Sequence, residues 1–179
     1  MSEPTSLGAI WTAPARTPLC EIATEIVPVD LLAQWRRCGM ISDFLAEYLS
    51  YAFDRREVAR SILSTVVNEL VENVAKYSAD KLVPARVSLA HHGEKLLVTS
   101  PSVSSAQHLE RLGEELGELA TEDAATVFAR RMAQRLGLGL ALVANDYGAA
   151  INATVTPSGG GLSTVCVRAA LPSIEVEQR

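Results

Sequence analysis

The sequence predicts an α/β (α+β) fold, a two-layer sandwich in which a mixed, mostly antiparallel sheet is covered on one face by helices. Three observations carry that prediction. Strand-like and helix-like stretches follow one another in the order strand, helices, two strands, helices, two strands. Two strand pairs are joined by short glycine-bearing turns, and such turns make antiparallel hairpins. The longest helical stretch has its apolar residues on one side, and that side needs a sheet to cover it.

The elements follow in chain order. The first 18 residues, punctuated by proline, read as a loose arm, so the domain is placed at 20–172, between an arm over 1–19 and a tail over 173–179. Residues 20–28 alternate enough for a short strand. Asp30 is a possible cap, and 31–53 read as one or two helices, with Ile41, Phe44, Leu45, Tyr48 and Leu49 at helical spacing and a fresh start at Ser42 or Asp43 after Gly39. The longest helix is expected from about 54, with Asp54 as N-cap, to about 78, and Pro84 lies in the loop beyond it. "ARVSLAHH" and "EKLLVTS" form a hairpin turning at Gly93 and Glu94. Two charged helices occupy 104–135 with a break near Thr121, and "LGLGLALVANDYGA" is a glycine turn opening a helix that stops at Gly148. "INATVT" and "STVCVRAAL", joined by "PSGGG", make the closing hairpin.

Bulk properties narrow the function classes. A chain of 179 residues is long enough for one well-buried core, and 48% hydrophobic with 21% charged residues is the composition of a globular domain. Mean hydropathy is +0.16, which suggests a well-filled interior or a sticky partner surface. No apolar run approaches the ~20 residues that span a bilayer, and the N-terminus lacks a basic start followed by an apolar stretch, so a cytoplasmic location without membrane attachment is expected. A net charge of −5 argues against binding nucleic acid, because affinity for a phosphate backbone needs clustered Lys and Arg. Cys20, Cys38 and Cys166 have no metal-site spacing and read as small core residues. Trp11 and Trp35 read as core or arm-packing residues.

The chemistry concentrates in "NELVENVAKYS", residues 68–78. At about 100° per residue, Leu63, Val66, Val67, Leu70, Val74 and Tyr77 form the core arc. Beside it lie Thr65, Glu69, Glu72, Asn73 and Lys76, with Glu69 and Asn73 one turn apart. A carboxylate, an amide oxygen and an ammonium thus line one edge. An amide oxygen suits Mg²⁺, a carboxylate can take a proton from an attacking hydroxyl, and an ammonium can meet phosphate charge. The other reading of the same spacing is a solvated polar face held by i,i+4 pairs. Elsewhere, adjacent His91 and His92 point to opposite faces of a strand, and His108 reads as a surface residue. "ERLGEELGELATED" reads as an acidic solvated face, and Arg130, Arg131 and Arg135 as a solvated helix end.

"NELVENVAKYS" resembles the N-box of the GHKL ATPase superfamily, which includes gyrase, MutL and the histidine kinases. The resemblance implies the Bergerat type of sandwich, with ATP and Mg²⁺ as cofactors. It also implies that Glu69 is the general base, that Asn73 is the Mg²⁺ ligand, and that Lys76 and Tyr77 contact phosphate and border the nucleotide. "LGLGLAL" resembles the second glycine box of that family, so Gly137, Leu138 and Gly139 would seat phosphates at a helix start. The first glycine box is missing. Ser100 stands about where the family has an Asp for the adenine amine, and losing a charged partner there typically costs about 1.5–3 kcal/mol.

A Glu as first member of the N-box pair is similar to the anti-sigma-factor serine kinases. The altered strand end and the helical insert before the glycine turn resemble the SiaB-like kinase and regulator branch. The likeness covers roughly residues 20–172. It implies a protein serine/threonine kinase or anti-sigma-type switch in bacterial partner switching, acting on a STAS-like antagonist or a sigma-factor pathway component, with a homodimer left open. The alternative is a GHKL-fold binding module that has lost catalysis and keeps weak or no nucleotide binding. A plain ATPase fits less well.

Overall fold

The computed structural model describes residues 4–10, 12, 14 and 17–173. Trp11 lies outside the described residues. Six strands, β1 (Thr5–Gly8), β2 (Cys20–Ile26), β3 (Ala85–His91), β4 (Lys95–Ser105), β5 (Ala150–Gly159) and β6 (Leu162–Pro172), form one sheet in the order β1-β5-β6-β4-β3-β2. Every pairing among the described strands is antiparallel. The helices are α1 (Pro28–Ala33), α2 (Arg36–Ser50), α3 (Arg56–Tyr77), α4 (Ala106–Thr121), α5 (Ala124–Ala133) and α6 (Gly139–Tyr147). The expected α+β sandwich is therefore present.

Period-two burial explains the layering. Leu96 and Val98 of β4 and Val165, Ala169 and Leu171 of β6 are buried, together with Leu63, Val66, Leu70 and Val74 of α3 and Leu45 and Leu49 of α2. Their neighbours in sequence turn to the other face, where Thr99 stands opposite Arg168 and Glu25 opposite Arg86. Thus α3 is seated on the sheet by the arc read from the sequence, with one difference. Tyr77 is 37% exposed and leaves the core.

Several boundaries differ for local reasons. Residues Thr5–Gly8, read as part of a loose arm, add an edge strand to β5. Between the first helices the break falls at Gln34 (φ −142°), not at Gly39, which lies inside α2. Ser42 and Asp43 cap nothing: the Ser42 hydroxyl donates to the Cys38 carbonyl and Asp43 accepts from Ser64 at 2.6 Å. Asp30 sits within the first turn of α1 and pairs with Arg37 at 2.6 Å. α3 begins after Arg55 without a side-chain cap, so Asp54 is not its N-cap.

The strand carrying Ser100 runs on through "SPSVSS" to Ser105, although Pro101 interrupts it. Pro101 is tolerated because β4 pairs with β3 only from Leu96 to Thr99, leaving one side of the later residues free. That free side is met by the Ala79 N–H, which donates to the Val103 carbonyl at 2.6 Å. The α4/α5 break, the Gly148 stop (φ 62°) and the closing hairpin fall where the sequence places them, and Asp123 caps α5 by accepting from the Thr126 N–H at 3.1 Å.

Candidate functional site

Because Val74 and Leu70 hold α3 against the sheet, the neighbouring Asn73 is brought to the rim of a cavity between sheet and helices. The cavity has a volume of about 510 Å³, within the size range of small-molecule sites. Ser100, Ser102, Val165 and Val167 form its floor on β4 and β6. Asn73, Val74 and Tyr77 of α3 form one wall, and Leu136, Gly137, Gly139 and Leu140 close another. α4 and α5 complete it with His108, Arg111, Leu112, Glu115, Glu118 and Arg131 among others.

Of the residues predicted from sequence, Asn73, Tyr77, Ser100, Gly137 and Gly139 meet at this cavity. Glu69 lies beside Gly139 and outside the cavity wall: a Cβ built on Gly139 would meet Glu69 Oε2, so the carboxylate would have to swing aside to admit any other residue there. Leu138 is the residue before α6 and accepts from the Leu142 N–H at 2.7 Å, without forming part of the wall. Lys76 is also outside the wall. Its Nζ donates to Glu72 Oε2 at 2.7 Å and lies 5.2 Å from the centre of the Trp35 ring. Trp35 is accordingly a surface residue rather than a core one.

Four residues that read as solvated turn inward. His108 stacks on Tyr77, ring centres 4.2 Å apart and planes 8° from parallel. Arg131 is buried, its Nε donating to the Gly137 carbonyl at 3.0 Å. Its two terminal nitrogens reach Glu118 and Glu115, each at 3.2 Å. The signal for Glu115 and Glu118 was the leucine spacing of α4: Leu112 and Leu116 are buried, and the two glutamates flank that stripe. Arg130 stays outside, paired with Glu122 at 2.6 Å.

Burial raises the pKa of Glu69, with Glu72 adding to the effect and Lys76 opposing it. Burial pushes Glu115 up to about 7 against the pull of Arg131 and of the Ala141 N–H in the first turn of α6. It lowers His108, helped by Arg111 and Lys81. At Lys76 burial works against the ammonium, but the bond and charge of Glu72 outweigh it and the pKa rises.

No family model matches the sequence, and no curated protein matches it. A chain in the crystal structure of the SiaB-SiaC complex from Pseudomonas aeruginosa aligns with a TM-score of 0.66 at 18% identity, over 86% of this chain and 91% of that chain. The two chains share a fold.

Asn73 and the start of α6 are the groups that could hold a polyphosphate with its metal, while Glu114, Glu115 and Glu118 on the same wall oppose a polyanion. The Asn73 amide has no hydrogen-bond partner among the described residues and stands on the wall. Gly137 and Gly139 present backbone at the start of α6, where unpaired N–H groups attract anions. No helix among the described residues is long and apolar enough to cross a membrane.

Proposed function

We propose that this chain is an ATP- and Mg²⁺-dependent protein serine/threonine kinase or anti-sigma-type regulator of the GHKL kind, acting in bacterial partner switching on a STAS-like antagonist or a sigma-factor pathway component. The observation that carries the reading is the placement of Asn73 on a 510 Å³ cavity that the Gly137–Gly139 turn also lines, with the Glu69 carboxylate packed against that turn. The neighbour's own description as a complex of two proteins, SiaB and SiaC, supports a protein partner.

In this reading the Asn73 amide oxygen holds Mg²⁺ and the N–H groups at the start of α6 hold phosphate oxygens. Ser100 faces the base, and Tyr77, backed by His108, borders the nucleotide. Bound ATP supplies the phosphoryl group for transfer. Glu69 receives the proton of the partner's serine or threonine hydroxyl on a carboxylate oxygen, and its raised pKa makes it a better base than a solvated carboxylate. Lys76 reaches phosphate only after leaving Glu72.

Calorimetry and thermal melting with ATP and Mg²⁺ test the assignment. Wild type at ligand 100 times its Kd gains about 2.7 kcal/mol, and Asn73→Ala loses the Mg²⁺-dependent part. Glu69→Ala keeps nucleotide binding and loses transfer to the partner. Absence of any shift at millimolar nucleotide removes the kinase reading. The second reading is then the one to hold, a degenerate binding module of the same fold. The uncharged Ser100 at the base end and the Glu115 carboxylate on the cavity wall favour it, since both weaken the affinity for a polyanion with an adenine head.

A further inference from the structure

We infer, on the nucleotide reading proposed for this cavity, that the Glu115 carboxylate is a built-in occupant of its phosphate end, so that nucleotide binds only by expelling it from Arg131 and the start of α6. An arginine and a helix start are two kinds of group that hold phosphate oxygens. Here both are turned on a side chain of the protein itself. Arg131 Nη2 lies 3.2 Å from Glu115 Oε2, and the Ala141 N–H in the first turn of α6 acts on the same carboxylate. Arg131 is fastened at this spot by its Nε, which donates to the Gly137 carbonyl of the glycine turn at 3.0 Å. Glu115 therefore sits among the groups that a phosphate would use.

The fit of this occupant is incomplete. Glu115 Oε1 is buried without a hydrogen-bond partner among the described residues, a costly state for a carboxylate oxygen. A phosphate has more oxygens to offer and can serve Arg131 and the α6 N–H groups together. The two anions cannot share the place, because like charges at close range repel strongly where protein walls exclude water. With Glu115 gone, Glu118 at 3.2 Å and the Gly137 carbonyl keep the guanidinium in position, leaving Nη2 for phosphate. α4 is weakest where it must yield. Gly113 and Gly117 stand two residues before and after Glu115, and a Cβ on either would meet nothing within 4 Å, so no packing demands them. Glycine weakens a helix interior, while the buried Leu112 and Leu116 anchor the apolar side of α4. The movement is thus a local loosening around Glu115.

Calorimetric titration of the full chain with MgATP, paired with hydrogen exchange, decides it. Glu115→Gln and Glu115→Ala should each bind at least roughly tenfold more tightly than wild type. Glu110→Gln removes an exposed charge of the same helix outside the cavity wall and should stay within about twofold of wild type. The alanine variant offers phosphate no new hydrogen bond, so its gain comes from the vacated place alone; should it fail to fold, Glu115→Gln and the exchange result decide together. In wild type, MgATP should quicken amide exchange across residues 112–118, the reverse of the slowing a ligand ordinarily brings to a wall it touches. Three results overturn the inference and leave the nucleotide reading standing: a folded Glu115 variant that binds no better than wild type, an equal gain in Glu110→Gln, or exchange across 112–118 that fails to quicken. Absence of binding by all four chains at millimolar MgATP removes both.

Discussion

At Glu115 two effects of opposite sign act on one carboxylate. Arg131, 3.2 Å away, favours the charged form, while burial among α4, α5 and α6 disfavours it, and burial wins, leaving the pKa at about 7. The unfolded chain holds the same group near 4.3, so the folded state binds the proton more tightly. Stability from this group is full below about pH 4.5 and is lost as pH rises through about 7. Glu115→Gln removes the ionisation. The variant should therefore melt several degrees above wild type near pH 8, by at most on the order of 3 kcal/mol, with the gap closing as pH falls to about 4.5. Thermal unfolding across that range reads the result. A wild type that is the more stable at pH 8 would mean that the attraction of Arg131 outweighs the burial.

Among the elements, β1 depends on a single glycine. Gly8 has φ +83°, and a Cβ there would sit 2.7 Å from the Ile151 carbonyl oxygen and 3.2 Å from Leu116 Cβ. The strand lies where α4 and β5 meet, so any side chain pushes it off both. Gly8→Ala should cost about 1–3 kcal/mol, and hydrogen exchange should quicken at Ser6 and Leu7 while the α3 core keeps its protection. Uniform quickening would show that the edge strand unfolds only with the whole domain. β1 was not legible in "TSLG", because four residues without alternation become a strand only when a distant partner presents its edge. Pro101 hid the second half of β4 for the same reason: one-sided pairing is a tertiary fact. Where local chemistry decides, the sequence sufficed, as at the Gly93 turn and the Gly148 stop. Gly39 misled because the break needs a backbone departure, and Gln34 supplies it.

For the molecule as a whole, the site is an assembly of six elements, β4, β6, α3, α4, α5 and α6 with the turn before it, and only part of it could be read from one. Asn73 and the Gly137–Gly139 turn were legible because their spacing lies within single segments. His108, Glu115, Glu118 and Arg131 were not, because each is polar on a charged helix and is drawn inward by a partner on another. Arg131 shows what that assembly holds together. It joins α5 to α4 through Glu115 and Glu118 and to the turn before α6 through the Gly137 carbonyl. Removing one partner of a buried pair leaves the other charge uncompensated, so Arg131→Ala should cost about 3–5 kcal/mol. Replacing Glu115 and Glu118 by Gln in the same chain removes those stranded charges and should recover part of the loss. Urea unfolding of the four chains of this cycle gives the coupling directly. Additivity within about 0.5 kcal/mol would show that α4, α5 and the α6 turn are held by their apolar contacts alone, with no shared charge network.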